Sequence, residues 1–401
     1  MNRVGIYLLA LGAFIIGTVD FITVGILNMI AADMNVSIGM AGQLVTIFSI
    51  SFVIGSLILV ALTIRFERKK VLLYSLAIFL VGNLTAFLST RFEILMVSRV
   101  LLAASGGLFT VIATVFAAKL APTGKQGAAI ATVTTGFSAA LVFGMPIGTL
   151  LTSYMDWHFI FLIMGAITVL LIIMLARMIP TVPGQTPIPL KEQLLIIKDK
   201  RVFSGLLTTL FWIIGYTITF TYISPLLQEI GHFSVEMIST ALLILGIFAF
   251  IGSRFGGYAS DKWNTAVTIR SSLVLHVLAL IALPVALGST WGAMVTIMVW
   301  GFSSWTTTTA NQIYLISLKS SASEIILSYQ TAVLNIGISL GAAVGGVLVE
   351  RVPIFHFGWI SSVMVLIAFV TASYSFLLSG RMKNRMEKLD LCCECPNKIK
   401  Y

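Results

Sequence analysis

IYLLALGAFIIGTVDFITVGILNMI, residues 6–30, is an apolar run interrupted by one carboxylate, Asp20. Its length exceeds the roughly 20 residues that carry an α-helix across a bilayer. Helix is the expected form because backbone polar groups in hydrocarbon must be satisfied within their own segment. A charge at the centre of such a helix costs roughly 2.5–3.5 kcal/mol on insertion scales, so it is expected to face a partner or a water-filled path. The run is too long for a secretion-signal core and lacks a small-residue cleavage site after it, so it is read as a retained first span.

Further apolar stretches follow at about 40–62, 71–89, 95–118, 129–153, 159–178, 203–227, 237–259, 267–287, 292–318, 325–349 and 356–379. Together they predict an all-α membrane protein of twelve transmembrane helices. Composition agrees: 58% of the 401 residues are hydrophobic and 10% charged, and the mean hydropathy is +1.03. A soluble core of this length has no means of burying so much apolar surface. Long apolar runs also differ from the weak alternation of a β-barrel.

The net charge of +10 suggests a nucleic-acid partner until the charges are placed. With the N-terminus in the cytoplasm, 22 Lys and Arg fall inside, Arg91 and Arg351 fall outside, and Arg99 lies in the fourth stretch. That asymmetry predicts N-in, C-in topology and no nucleic-acid role. All three cysteines, Cys392, Cys393 and Cys395, sit in the tail, where a solvated segment is expected rather than a metal site or a disulfide.

The longest polar interval, Arg177 to Arg201, carries IPTVPGQTPIPLKEQ and reads as a linker. The expected organisation is a six-helix bundle over 1–178, a cytoplasmic linker over 179–202, a second bundle over 203–379 and a tail over 380–401. The halves repeat: one offset of 197 residues carries Arg65 onto Lys262, and Ala140, Gly144 and Gly148 onto Gly337, Gly341 and Gly345. Small residues at four-residue spacing let membrane helices approach closely. A parallel duplication of this kind points to a secondary transporter with its site between the halves near the midplane.

Several motifs carry a resemblance. FGGYASDKW, with Gly257, Asp261 and Lys262, resembles the loop motif of the major facilitator superfamily; in the first half Val60 and Ile64 replace its glycine and aspartate, while Arg65, Arg68 and Lys69 keep its basic character. GTVDFITVGILNMIAADM resembles the first-helix signature of the drug:proton antiporter-1 branch, with Asp20 at its acidic position. SRVLLAASGG places Arg99 at the fourth-helix motif arginine. GFSAALVFGMPIGTLL resembles the antiporter motif through Gly136, Gly144, Pro146 and Gly148. AGQLVTIFSIS, LTIRFERKKVLL and WGFSSWTTTTANQIYLI look closest to purine base and nucleoside exporters of Gram-positive bacteria. The resemblance implies a multi-pass protein of the bacterial cell membrane. It would exchange protons for a small organic molecule, with no cofactor and as a monomer. Multidrug or sugar efflux by the same mechanism, and proton-coupled uptake, are the alternatives.

Asp20 lies roughly 21 Å up its helix from the cytoplasmic face and Arg99 roughly 24 Å, so the two are expected to meet if their helices are neighbours. Asp20 would carry the proton and Arg99 would tune it. Trp212, Tyr216, Tyr222, Trp305, Asn311 and Gln312 are expected to wall a cavity for a planar ligand, with Asn28 and Gln43 from the first half and Tyr329, Gln330 and Asn335 from the eleventh stretch. The basic and glycine motif residues are expected at the gate, with the fifth- and eleventh-stretch glycines letting the halves slide. His276 is expected to pack away from the cavity. There is no phosphate-binding loop, no metalloprotease helix and no nucleophile elbow, so no enzyme is expected.

Overall fold

The computed structural model describes residues 3–63, 65–122, 126–182, 198–319 and 323–393. The first half comprises α1 (Arg3–Gly25), α2 (Leu27–Asp33), α3 (Ile38–Val53), α4 (Val60–Thr63), α5 (Arg68–Phe87), α6 (Phe92–Leu120), α7 (Gln126–Ala139), α8 (Met145–Leu151) and α9 (His158–Met178). The second comprises α10 (Lys200–Thr221), α11 (Ile223–Glu229), α12 (Val235–Trp263), α13 (Thr265–Ala286), α14 (Thr290–Leu318), α15 (Ser323–Arg351) and α16 (Phe357–Cys393). Among the described residues, eleven helices are long and apolar enough to cross a membrane.

The predicted tenth stretch is also one continuous helix, α14, but its run SSWTTTTANQ lowers its hydropathy and keeps it out of that group. Its hydroxyls are satisfied internally: the Thr306, Thr307 and Thr308 hydroxyls each donate to a carbonyl one turn back. A polar helix is tolerated here because α12, α13 and α10 surround it.

Two hydrophobic cores form. One is drawn from residues 6–179, among them Phe79, Phe109, Phe116 and Phe161. The other is centred on the second half, with Trp300, Tyr222 and Phe357, and takes in Val24, Leu27, Ala41 and Met145 from the first. The repeat reaches further than the glycine ladder. Asn35 and His232, 197 residues apart, both adopt positive φ, 53° and 52°. Two residues later Ser37 and Ser234 cap α3 and α12, accepting from the amides of Met40 and Met237. Equivalent turns and equivalent caps at one offset show the same chain path executed twice.

Two helices carry π-helical segments, Ile54–Leu59 after α3 and Ala140–Gly144 before α8. The second lies just ahead of Pro146, which has no amide to donate back to the preceding turn. α16 runs on to Cys393, past the 379 boundary expected from hydropathy, because RMKNRMEK is rich in strong helix formers. Most of the expected linker, 183–197, lies outside the described residues, as do Ile64 and Cys395.

Within the end of the expected linker, where α10 already begins at Lys200, Asp199 caps that helix by accepting from the Arg201 amide, and its carboxylate also pairs with the Arg201 guanidinium at 2.7 Å. The Arg201 hydrogen bond holds the Asp199 carboxyl below its usual value of 3.8. A depressed folded-state value means the contribution is present at neutral pH and lost as pH falls through the carboxylate range. Asp199→Ala is expected to cost about 1 kcal/mol, the usual worth of a cap. Thermal unfolding in detergent at pH 7 should show that loss, and it should shrink in acid.

Candidate functional site

Asp20 sits in the last third of α1, five residues before its end, half-buried between fully buried Val19 and half-buried Phe21. It makes no hydrogen bond and no ion pair within 4 Å among the described residues. The expected Asp20–Arg99 pair is therefore a proximity and not a bond. Arg99 is completely buried; its Nη1 donates 2.9 Å to the Val19 carbonyl, and its guanidinium lies over the Phe161 ring at 5.1 Å. Its Nε and Nη2 are buried without partners. The arginine thus points at the peptide just before the acid, and its uncompensated charge acts on Asp20 through space. Arg99→Ala would empty a tightly packed site as well as remove that charge. It is expected to cost about 3 kcal/mol, visible as a lower melting temperature in detergent.

The halves meet at the end of the bundle away from the N-terminus. Ser37 donates to Glu350 at 2.6 Å, Ser239 donates to the Pro146 carbonyl at 2.8 Å, and the Asn28 amide bonds Gln228. Glycines make the approach possible. A Cβ at Gly39 would lie 2.5 Å from the Gly346 carbonyl oxygen, one at Gly42 1.9 Å from the Tyr222 hydroxyl, and one at Gly246 2.7 Å from Val142 Cα. Of these interface glycines only Gly42 falls within a stretch that carries the resemblance, AGQLVTIFSIS; Gly39 and Gly246 are marked in the sequence by small size alone. At the other end, Thr134, Thr135, Ser328, Thr331 and Gln312 are exposed polar side chains. They lie toward the face that carries the N-terminus, and the hydroxyls of Thr134, Thr135 and Thr331 are spent on carbonyls one turn back in their own helices. Beside the joined end, a cavity of about 200 Å³ lies between Gly25, Asn28 and Thr149 on one side and Ser224, Gln228 and Ile238 on the other.

The motif glycines do different work from that expected. Gly136, Gly144 and Gly148 pack against Ala10, Thr18 and Ile22 of α1, and Gly337, Gly341 and Gly345 pack against Ile213, Ile214 and Tyr222. Each ladder joins two helices of its own half. The close approaches between the halves lie instead at Gly39, Gly42, Gly246 and Gly346. Pro146 does reach the interface, through its carbonyl.

The expected cavity wall divides. Trp305, Tyr329, Asn335, Asn28 and Gln43 are half-buried and Gln312 is exposed. Trp212, Tyr216, Tyr222, Asn311 and Gln330 are buried. Asn311 donates to the Thr209 hydroxyl at 2.8 Å and the Tyr222 hydroxyl to the Ala342 carbonyl at 3.2 Å, so both tie helices together. Gln330 keeps a buried oxygen unpartnered, and Gln43 abuts Gly346. Trp212 and Tyr216 form an aromatic core with Trp300 and His276. The Trp300 indole donates to His276 Nε2 at 3.0 Å, and both the Trp212 and Tyr216 rings lie 6.3 Å from the imidazole. His276 is thus packed, and the rings expected to face a ligand are its packing.

In the loop motif, Lys262 donates to the Tyr258 hydroxyl at 3.0 Å, Asp261 is exposed, and a Cβ on Gly257 would meet open space. In the first half Arg65 is exposed, whereas Arg68 is buried with Nε and Nη1 unpartnered. Lys69 donates to the Ile179 carbonyl at 2.8 Å, pinning the α5 start to the end of α9.

Paired helical bundles around an intramembrane acid, joined to each other at the end away from the N-terminus, have the frame of a membrane transporter. The chain belongs to the Major Facilitator Superfamily, whose profile matches residues 9–342. It is 36% identical over 378 residues to the uncharacterised MFS-type transporter YbcL of Bacillus subtilis (strain 168), covering 94% of this chain and 96% of that protein. It is 30% identical over 342 residues to the inner membrane transport protein YdhP of Escherichia coli (strain K12), covering 85% and 88%. The fold matches a crystal structure of a D-xylose–proton symporter with TM-score 0.78 at 14% identity, over 93% of this chain and 97% of that one. It also matches an inward-facing bacterial homologue of the lysosomal transporter Spinster, with TM-score 0.73 at 16% identity, over 94% and 97%.

Proposed function

We propose that this transporter is a proton-coupled antiporter that exports a small planar organic molecule, with purine bases and nucleosides as the favoured cargo. The observation that carries the reading is the state of Asp20: an acid within a membrane-spanning helix, free of hydrogen bonds among the described residues, beside an arginine that does not neutralise it directly. Such a carboxylate is free to take a proton in one conformation and give it up in the other. Alternating access supplies the two conformations, and the glycine-lined closure between α3 and α15 and between α8 and α12 is the surface that opens. Half-buried Trp305 and Tyr329 with Gln312 and Asn335 offer ring faces and amides to a heteroaromatic solute.

In this reading α14 is the twelfth crossing, and the N-terminus and tail are cytoplasmic, as the excess of Lys and Arg on that face supports. The bundles are 1–178 and 203–379, joined by the linker 179–202. The protein works as a monomer in a bacterial inner membrane, the location carried in the name of the Escherichia coli relative.

Everted vesicles energised to an acidic interior test the proposal. Purines, nucleosides, sugars and cationic dyes are added in turn, with Asp20→Asn as the control. Alkalinisation of the lumen by purines or nucleosides alone, lost in the variant, is the expected result. A response to sugars or dyes instead would replace the cargo, and acidification would reverse the direction.

A further inference from the structure

The outer face of α13 is a lipid-facing stripe. Val267, Val274 and Leu278 recur at helical spacing and are 53%, 46% and 57% exposed. Within that stripe stands a cation, Arg270, half-buried. It lies five residues into the helix from Thr265, about 7.5 Å along the axis, at the end that shares its face with the N-terminus. Its guanidinium lies over the Phe376 ring of α16 at 5.2 Å, and its Nε is buried without a partner. No acidic side chain pairs with it among the described residues. Arg270 also opens onto a groove of about 560 Å³ between α13 and α16, lined otherwise by apolar side chains and Ser271, with Phe369 on its far wall. The Ser271 hydroxyl is spent on the Val267 and Thr268 carbonyls of its own helix.

We propose that this groove binds one anionic phospholipid, its phosphate on Arg270 and an acyl chain along Val274, Leu278 and Phe369. The charge is complementary, and the depth suits it: an arginine one to two turns inside the helix end reaches the headgroup level while its stem lies on apolar surface. Basic pockets between transmembrane helices hold anionic headgroups by this chemistry. The ring beneath the guanidinium fixes its direction and limits its entropy loss on binding. Neither the transported solute nor Asp20 enters the argument, so the site stands apart from the transport reading.

Native mass spectrometry of the full chain released from mixed micelles of phosphatidylglycerol and phosphatidylethanolamine tests it. The wild type is expected to retain one phosphatidylglycerol with about fivefold preference, the worth of one cation at the membrane surface. Arg270→Gln should bring that preference to parity. Val274→Trp, which keeps the charge and fills the groove, should lose the bound lipid. Arg254→Gln, whose guanidinium lies over Phe250 at 5.3 Å outside the groove, should behave as wild type. Equal retention of phosphatidylethanolamine by the wild type, undiminished phosphatidylglycerol on Arg270→Gln, or an unchanged adduct on Val274→Trp would overturn the proposal. If Arg270→Gln fails to fold, Val274→Trp decides alone.

Discussion

Asp20→Asn is expected to abolish proton-driven flux while the protein still folds, inserts and binds its cargo. The amide is nearly the same size and keeps a polar group at the half-buried position on α1, but it has no proton to exchange. With no exchangeable proton at that position the coupled cycle cannot turn, so pH-driven flux is expected to fall to the background of empty vesicles. The measurement is pH-gradient-driven transport in vesicles, with melting temperature and substrate-induced thermal shift as controls. An equal rate in the variant would remove Asp20 from the coupling. A collapsed melting temperature would make it a structural acid. Because Asp20 has no bonded partner among the described residues, its replacement breaks no hydrogen bond, and the structure anticipates little change in stability.

The second large effect is expected at Gly39, where the halves close. A valine there would drive its Cβ to 2.5 Å from the Gly346 carbonyl oxygen and 2.8 Å from the Glu350 carboxylate. The first obstacle is backbone on a packed helix, so α3 and α15 must separate. Overpacking of this kind costs about 1–3 kcal/mol, which shifts a two-state equilibrium roughly 5–150-fold. Gly39→Val should therefore hold the far end open and slow turnover. A cysteine at Ser239, buried where α12 meets the Pro146 carbonyl, reports on this, because the native thiols Cys392, Cys393 and Cys395 all lie in the tail. In wild type it should react slowly with a membrane-impermeant thiol reagent added outside, and in Gly39→Val at least about fivefold faster. Unchanged reactivity would mean that the contact between α3 and α15 does not gate that end.

Hydropathy alone located every long helix, including α14, and the 197-residue offset is visible in unaligned text. Both rest on local physics. A spanning helix needs a long apolar run, and a duplicated chain path keeps its turn and cap residues, as Asn35 with Ser37 and His232 with Ser234 show. The acid at Asp20 and the arginine at Arg99 were equally legible, since charges are rare where the solvent is hydrocarbon.

Direction around each helix axis was not legible. In a soluble protein the apolar stripe points to the core. In a membrane the core face and the lipid face are both apolar, so sequence periodicity leaves a helix's rotation open. Trp212 and Tyr216 therefore read as cavity walls but lie around His276, and the motif glycines read as sliding surfaces but lock α7 and α8 to α1 and α15 to α10. The same ambiguity hid Gly39, Gly42 and Gly346, whose role exists only because another helix arrives within van der Waals distance.

By itself, the sequence determined that this chain lives in a bilayer, where its helices run, that it is a duplication, and which charges the bilayer must tolerate. Only the tertiary structure decided what those charges touch. It set Arg99 on the Val19 carbonyl instead of the Asp20 carboxylate, joined the halves at the end away from the N-terminus, and left Arg270 facing an apolar groove. Spans follow from the free energy of moving single segments out of water. Partners follow from which side chains several helices, packed together, bring within a few ångströms.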